Sequence, residues 1–87
     1  MIVGYKNSFE KKTRRLPAGI RKSFATRLRL FIESPYHPIL NNHALAGDRR
    51  GYRSINITGD WRAIYEPTSV DTAIFVDIDT HHNLYGT

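Results

Sequence analysis

The sequence predicts an α+β fold, in which a basic helical hairpin packs on one face of an antiparallel sheet in the order β-α-α-β-β-β. Apolar residues in the first half recur at three- and four-residue spacing, the period of a helix. The second half has segments rich in β-branched and aromatic residues, separated by turn-forming dipeptides. No internal repeat or linker divides the 87 residues, so we expect one domain over residues 1–87 with a single core.

The first half predicts a short strand followed by two helices. Ile2–Tyr5 has the composition of a strand, and Asn7 or Ser8 is placed to cap a helix that runs to about Leu16, where a proline follows. A second helix is indicated by one continuous apolar face, and Ser34-Pro35 ends it. That face consists of Ile20, Phe24, Leu28, Phe31 and Ile32.

The second half predicts a loop and then three antiparallel strands. Residues 36–50 lack a clear hydrophobic period, and strands follow over residues 52–57, 61–66 and 72–79. In the last strand, aliphatic residues alternate with an aromatic residue and two carboxylates, so we expect the aliphatic face to meet the helices. The aliphatic residues are Ile74, Val76 and Ile78, and the others are Phe75, Asp77 and Asp79.

Basic residues are concentrated near the N-terminus. The chain carries a net charge of +5, and residues 1–33 hold nine Lys or Arg residues against Glu10 and Glu33 alone. Such a surface suits nucleic acid, an acidic protein or an anionic membrane surface, although a solvated helix face has the same composition. The absence of cysteine excludes disulfides and thiolate chemistry, and no apolar run approaches the roughly 20 residues that span a bilayer. We expect a cytoplasmic protein with no membrane partner.

Three short motifs occur in order along the second half. They are Gly51-Tyr52-Arg53, Asp60-Trp61-Arg62-Ala63-Ile64-Tyr65 and Thr80-His81-His82-Asn83-Leu84-Tyr85. Together with the basic hairpin they resemble the RelE/ParE superfamily of bacterial toxins, and the likeness is greatest to the YafQ branch. The resemblance covers almost the whole chain.

The resemblance implies a function and a set of partners. It implies the toxin of a type II toxin-antitoxin system, an endoribonuclease that cleaves mRNA on the ribosome and needs neither cofactor nor metal. The implied partners are a cognate antitoxin, the ribosome with its mRNA, and operator DNA through the antitoxin complex only. An acidic, partly disordered antitoxin would complement the basic hairpin.

The resemblance also implicates particular residues. Metal-free RNA cleavage needs a base for the 2′-hydroxyl, cations for the phosphorane oxygens and an acid for the leaving oxygen. Histidine titrates nearest neutrality and suits the proton transfers. The implicated residues are His43, Asp60, His81 and Tyr85 from the YafQ-like pattern, and Arg53 and Arg62 from RelE-like positions, where a guanidinium suits a phosphate.

One position departs from the YafQ-like pattern. That branch usually has a histidine where this chain has Asn56, which hydrogen-bonds but cannot transfer a proton at neutral pH. The assignment of acid and base therefore stays open. If the last strand continues past Asp79, His82 points away from His81.

For several of these residues a structural role is the alternative to the functional one. Arg53 and Arg62 have the character of surface or ion-paired strand residues, and Asp60 is placed to bond the backbone of a tight turn. Trp61 and Tyr65 are expected in the core. Tyr85 either stacks on a base or fastens the C-terminal segment.

Three other functions remain open from the sequence. Asp77, Asp79, His81 and His82 are metal-ligand types, but their spacing fits no established zinc pattern. A ParE-like toxin would inhibit a topoisomerase and cut nothing, and a plain nucleic-acid-binding module would use the basic helices alone. The histidines and arginines present together favour nuclease chemistry.

Overall fold

The computed structural model describes residues 1–86, which form a five-stranded sheet with three α-helices. The strands are β1 (Ile2–Tyr5), β2 (His43–Ala44), β3 (Arg53–Asn56), β4 (Trp61–Ser69) and β5 (Thr72–Thr80). The helices are α1 (Asn7–Arg14), α2 (Ala18–Glu33) and α3 (His81–Tyr85), and 3-10 turns occupy Pro38–Leu40 and Gly47–Arg49. The predicted α+β class and the order β-α-α-β-β-β are confirmed, with β2 and α3 added.

The sheet has the strand order β1-β5-β4-β3-β2. The predicted antiparallel pairing of β3, β4 and β5 is confirmed, and β2 joins β3 antiparallel. β1 instead lies parallel to β5, with Ile2 opposite Thr72 and Tyr5 opposite Phe75. The sheet is therefore mixed, a feature that the local sequence does not encode because the paired strands stand at opposite ends of the chain.

The two helices of the hairpin, α1 and α2, end near their predicted bounds, but neither begins with a side-chain capping hydrogen bond. α1 starts at Asn7 itself, and Lys6, the residue before it, makes no capping hydrogen bond through its side chain. The predicted cap at Asn7 or Ser8 is therefore wrong. Pro17 stands directly before α2, where its missing N–H costs no helical hydrogen bond.

The core is built from aromatic rings around Phe75 of β5. The ring centroids of Phe9, Phe24, Phe31 and Tyr65 all lie within 5.8 Å of the Phe75 centroid. Phe9 comes from α1 and the next two from α2, so the hairpin is fixed to the sheet by edge-to-face and tilted aromatic contacts. Trp61 is only half-buried against this core, whereas Tyr65 is fully buried, as predicted.

A β-bulge interrupts the predicted alternation of β5, so the residues before the bulge face the opposite side from the one expected. Tyr65 pairs with Phe75 and Ile64 pairs with Asp77, so Val76 is an extra residue with no partner on β4. Phe75 and Ile78 consequently both join the core cluster, although they are three residues apart. The expectation that Ile74, Val76 and Ile78 share the helix-facing side is wrong because the alternation is interrupted at the bulge.

The segment predicted as a loop contains short ordered elements. β2 and both 3-10 turns lie within residues 36–50, and Leu40 is fully buried in the core. Asn41 follows in the left-handed conformation, with φ of 44°. None of the helices within residues 1–86 is both long and apolar enough to cross a bilayer.

Candidate active site

The face of the sheet opposite the hairpin of α1 and α2 carries a row of polar residues. Asn56 pairs with Arg62, and Arg62 pairs with Asp79, so the three lie side by side across β3, β4 and β5. Their chain neighbours Ile55, Ala63 and Ile78 point into the core. We call this side the polar face. It also carries Ser54, opposite which His43 of β2 lies.

The C-terminal helix α3 packs against β5 through Leu84. Leu84 is 8% exposed but does not belong to the aromatic core cluster, so α3 buries it outside that core. Thr80 caps the helix, since its hydroxyl accepts a hydrogen bond from the Asn83 N–H at 3.1 Å. Gly86 ends it with φ of 73°, the left-handed conformation that favours glycine.

The helix replaces the continued strand considered from the sequence. His81 and His82 occupy the first turn of α3, and both are exposed. Because β5 ends at Thr80, the alternation of His81 and His82 that a continued strand would produce does not arise. Thr80 and Gly86, a capping hydroxyl and a terminating glycine six residues apart, are the sequence signals that predict this short helix.

His81 and Tyr85 are brought together by α3. They stand four residues apart on one side of the helix, and their ring centroids are 4.7 Å apart at an interplanar angle of 62°. The His81 N–H donates to the Asp60 carbonyl at 2.8 Å, which fastens the start of α3 to the turn between β3 and β4. Asp60 itself is exposed.

Arg62 holds that same turn together. Its guanidinium donates to the carbonyls of Thr58 at 2.9 Å, Gly59 at 3.2 Å and Trp61 at 3.0 Å. The Thr58 hydroxyl also accepts from the Trp61 N–H at 3.0 Å. The structural reading of Arg62 thus has direct geometric support, and the turn it stabilises is the one that contacts His81.

Arg53 lies on the other side of the sheet, apart from the polar face. It pairs with the buried Tyr65, and its Nε donates to the Asn42 Oδ1 at 2.9 Å. Its guanidinium carbon stands 5.5 Å from the centre of the Tyr36 ring, a cation–π contact. Asn42 Nδ2 also donates to the Tyr65 hydroxyl at 2.8 Å. The structure does not bring Arg53 to His81.

His43 is exposed near the edge of the sheet. Its Nδ1 lies 2.8 Å from the Asn41 carbonyl. Because a carbonyl oxygen only accepts, Nδ1 must carry the proton in this contact, which leaves Nε2 of the neutral ring as a base. In the neutral ring this contact favours the Nδ1–H tautomer, in which Nε2 is the nitrogen that can accept a proton.

A lysine bridges two carboxylates at the margin of the polar face. Lys12 of α1 donates to Asp77 Oδ1 at 2.9 Å and contacts Asp79 Oδ2 at 2.8 Å. Burial opposes ionisation of Asp79, but hydrogen bonds from Lys12, Asn83 and the Thr80 N–H outweigh it and lower its pKa. Burial likewise opposes the charge on Lys12, and its bonds to Asp79 and Asp77 outweigh that and raise its pKa.

The metal alternative gains no geometric support. Asp77 and Asp79 are engaged with Lys12, and residues 1–86 contain no cluster of three or more His, Cys, Asp or Glu side chains placed to hold a metal ion.

A groove of about 520 Å³ opens beside α3. Its lining residues are Asp48, Arg49, Tyr52, Val76, Asp77 and Leu84. Arg49 reaches α3, since its Nη2 donates to the Leu84 carbonyl at 3.4 Å. Arg49 was not among the residues predicted for the site, and the signal for it in the sequence is the Arg49-Arg50 pair before the glycine of the first motif.

The polar face and α3 hold three buried polar atoms that lack a hydrogen-bond partner within the described part of the chain. They are Ser54 Oγ, Asn56 Oδ1 and the Tyr85 hydroxyl. Buried polar groups without a partner reduce stability, and each one in a native protein calls for an explanation such as an ordered water, a bound ion or a role in catalysis. Ser54 and Asn56 lie on the polar face, and Tyr85 lies on α3 beside His81.

Comparison with solved structures identifies this architecture. YafQ from E. coli strain BL21(DE3) matches with a TM-score of 0.73 at 22% sequence identity, over 97% of this chain and 97% of that chain. A YoeB/ParE toxin from Agrobacterium tumefaciens matches with a TM-score of 0.73 at 21% identity, over 93% of this chain and 99% of that chain. The fold is that of the RelE/ParE toxins.

The RelE/ParE fold is also seen in a complex. The structure of the E. coli DinJ-YafQ complex matches with a TM-score of 0.65 at 24% identity, over 97% of this chain and 97% of that chain. No protein-family profile and no curated protein sequence matches this chain. The resemblance drawn from the motifs is thus confirmed at the level of the fold, with α3 of this RelE/ParE fold carrying His81.

Proposed function

We propose that this protein is the toxin of a type II toxin-antitoxin system and that it cleaves mRNA on the ribosome without a metal ion. The observation that carries the proposal is the packing of His81 against Tyr85 on a helix fastened to the polar face. An exposed imidazole beside an aromatic ring places a proton-transfer group next to a surface on which a base can stack.

The proposed reaction needs two proton transfers. One group removes the proton from the 2′-hydroxyl, which attacks the adjacent phosphorus to give a 2′,3′-cyclic phosphate. A second group donates a proton to the departing 5′-oxygen. His43, with Nε2 available, and His81 are the proposed pair in either order, and Asp60 lies in the turn that adjoins His81.

The remaining candidate residues take supporting roles in this proposal. Tyr85 packs on His81 and offers its ring to a base. Arg62 fixes the turn that receives the His81 N–H, and in this proposal its positive charge favours the negative charge that develops on the phosphorane. Arg53 fixes the junction of residues 36–44 with the sheet and contributes positive potential from a distance.

The proposed partners follow from charge. The basic hairpin of residues 1–33 suits ribosomal RNA, and an acidic antitoxin would cover the same surface and suppress the activity. The solved YafQ was captured with DinJ, which supports a protein partner for this chain too. Contact with operator DNA is proposed only through the antitoxin complex. Binding of mRNA in the ribosome would supply the substrate geometry, so we expect feeble cleavage of free RNA.

The test compares His81→Gln with His82→Gln during expression in bacteria. The two histidines are adjacent and both exposed on α3, so the second variant controls for loss of an imidazole. We expect His81→Gln to abolish growth arrest and the appearance of clustered mRNA 5′ ends, while His82→Gln retains both. Growth arrest by His81→Gln equal to that of the unaltered protein would contradict the proposal. Arrest without any mRNA cuts in the unaltered protein would favour the ParE-like alternative.

A further inference from the structure

Lys12 differs from the other basic residues of the helical hairpin. The ion pairs found within residues 1–86 both involve Lys12, which contacts Asp77 at 2.9 Å and Asp79 at 2.8 Å. Lys11, one residue earlier on the same helix, is exposed. The sequence does not distinguish these two lysines. In the structure Lys12, unlike Lys11, contacts the end of β5, where Asp79 lies two residues before α3 begins.

Asp79 connects that lysine to α3. Its Oδ2 contacts Lys12, and its Oδ1 accepts from Asn83 Nδ2 at 2.9 Å and from the Thr80 N–H at 2.8 Å. Asn83 belongs to α3, and Thr80 is the residue that caps it. One carboxylate therefore joins α1, the end of β5 and the first turn of α3.

A helix of five residues needs such support. Helices this short are unstable in water without tertiary contacts, because few hydrogen bonds offset the cost of ordering the backbone. In α3 the apolar contribution comes mainly from Leu84, which lies at the C-terminal end, away from His81. At the N-terminal end the helix is held by polar contacts, and those of Asp79 are among the shortest of them.

We infer that Lys12 and Asp79 are positioning residues, which fix the first turn of α3 and thereby the orientation of His81 against Tyr85. Lys12 offsets one of the two negative charges by contacting both carboxylates, and without it the like charges of Asp77 and Asp79 would repel one another unopposed beside the helix start. Neither residue is proposed to touch the substrate. The inference rests on the proposed function only in taking His81 to act in proton transfer.

The first test measures the helix directly and needs no activity. Lys12→Met should accelerate amide exchange of His81 and Asn83 by about tenfold relative to core amides such as Phe75. It should also alter the ring-current shift that Tyr85 imposes on the His81 ring protons. Lys11→Met is the matched control and should leave both signals unchanged, and Lys12→Arg should restore them because a guanidinium can still bridge two carboxylates.

A second variant separates charge from hydrogen bonding. Asp79→Asn keeps an acceptor for Asn83 and Thr80 but loses the attraction to Lys12, so its exchange should lie between those of the unaltered protein and Lys12→Met. If Lys12→Met leaves α3 unchanged, or accelerates exchange equally throughout the core, the inference is overturned. These outcomes are independent of whether the protein cuts RNA.

The activity readout links the inference to the proposed function. In cleavage assays on programmed ribosomes, Lys12→Met should lower kcat about tenfold with little change in KM, because the His81 orientation is lost while substrate binding remains. A rise in KM alone would mean that Lys12 binds RNA instead, and would overturn the positioning role. Absence of cleavage by the unaltered protein would refute the proposed function while the exchange data still decide the positioning of α3.

Discussion

The ring of His81 stands at 62° to the ring of Tyr85, with centroids 4.7 Å apart, on successive turns of α3. Tyr85 is half-buried, and its hydroxyl is buried without a hydrogen-bond partner among residues 1–86. The contact with His81 therefore depends on the ring and not on the hydroxyl. A substitution that removes only the hydroxyl of Tyr85 should therefore differ in effect from one that removes the ring.

Tyr85→Phe should leave the protein intact and Tyr85→Ala should not. Removing an unsatisfied hydroxyl should change the free energy of unfolding by less than about 1 kcal/mol, in the stabilising direction if at all. Removing the ring should cost about 2 kcal/mol, since the side chain is only partly buried, and should lower cleavage about tenfold by releasing His81. Urea unfolding and cleavage on programmed ribosomes measure both. Loss of activity in Tyr85→Phe would mean that the hydroxyl takes part in the reaction.

Arg62→Met should destabilise the fold. The guanidinium donates to three carbonyls of one turn, and loss of charge-assisted hydrogen bonds of this kind should cost about 2 kcal/mol in the free energy of unfolding. Arg50→Met removes an exposed arginine and serves as the control. Urea denaturation of the two variants decides the question. Equal stability in both would show that Arg62 does not stabilise the turn.

The sequence predicts β1, the two hairpin helices and β3 to β5 because each has a local signal, such as the helical period of α2 and the turn dipeptides between strands, whereas β2 and α3 were not predicted. The prediction fails where a single residue interrupts the alternation of side chains between the two faces of a strand. Val76 is an ordinary strand residue by composition, yet as the extra residue of a bulge it moves Phe75 and Ile78 to one side. Long-range pairing, such as β1 beside β5, has no local signal at all.

In the candidate site, too, motifs predict some of the residues, whereas positions that depend on strand register or long-range contacts cannot be read from the sequence. His81, Tyr85 and Asp60 come from motifs, and the structure places them close to one another around α3 and the adjoining turn. Arg53 belongs to a motif as well, but its side of the sheet depends on a register that the pattern left open. Lys12 could not be found from the sequence, because nothing distinguishes one lysine of a basic helix from the next.

Asn56→His should increase cleavage. Asn56 lies on the polar face beside Arg62, and its Oδ1 has no hydrogen-bond partner in the described residues, so replacing it breaks no observed contact of that atom. An imidazole there would restore the histidine usual in the YafQ branch and add a proton-transfer group. Such groups contribute about a hundred- to ten-thousand-fold, so even imperfect placement should raise kcat about tenfold. Asn56→Gln is the control, and an unchanged rate in Asn56→His would show that the existing histidines already supply both transfers.

Acidification should weaken the attachment of α3 through Asp79. Its pKa is lowered from 3.8 in the folded protein, so its contribution to stability is present above the unfolded value and is lost as pH falls through the folded value. The difference in the free energy of unfolding between the unaltered protein and Asp79→Asn should therefore be constant from about pH 7 to pH 5 and shrink below about pH 4. Asp48→Asn removes a carboxylate outside the Lys12 cluster and should show no such convergence if the cluster causes it.

Alkaline pH should weaken the contribution of Lys12. Because its pKa is raised from 10.5, its contribution to stability is complete below that value and is lost as pH rises through the folded pKa. A difference between Lys12→Met and the unaltered protein that persisted well above pH 10.5 would show that the lysine acts through packing of its aliphatic chain and not through its charge.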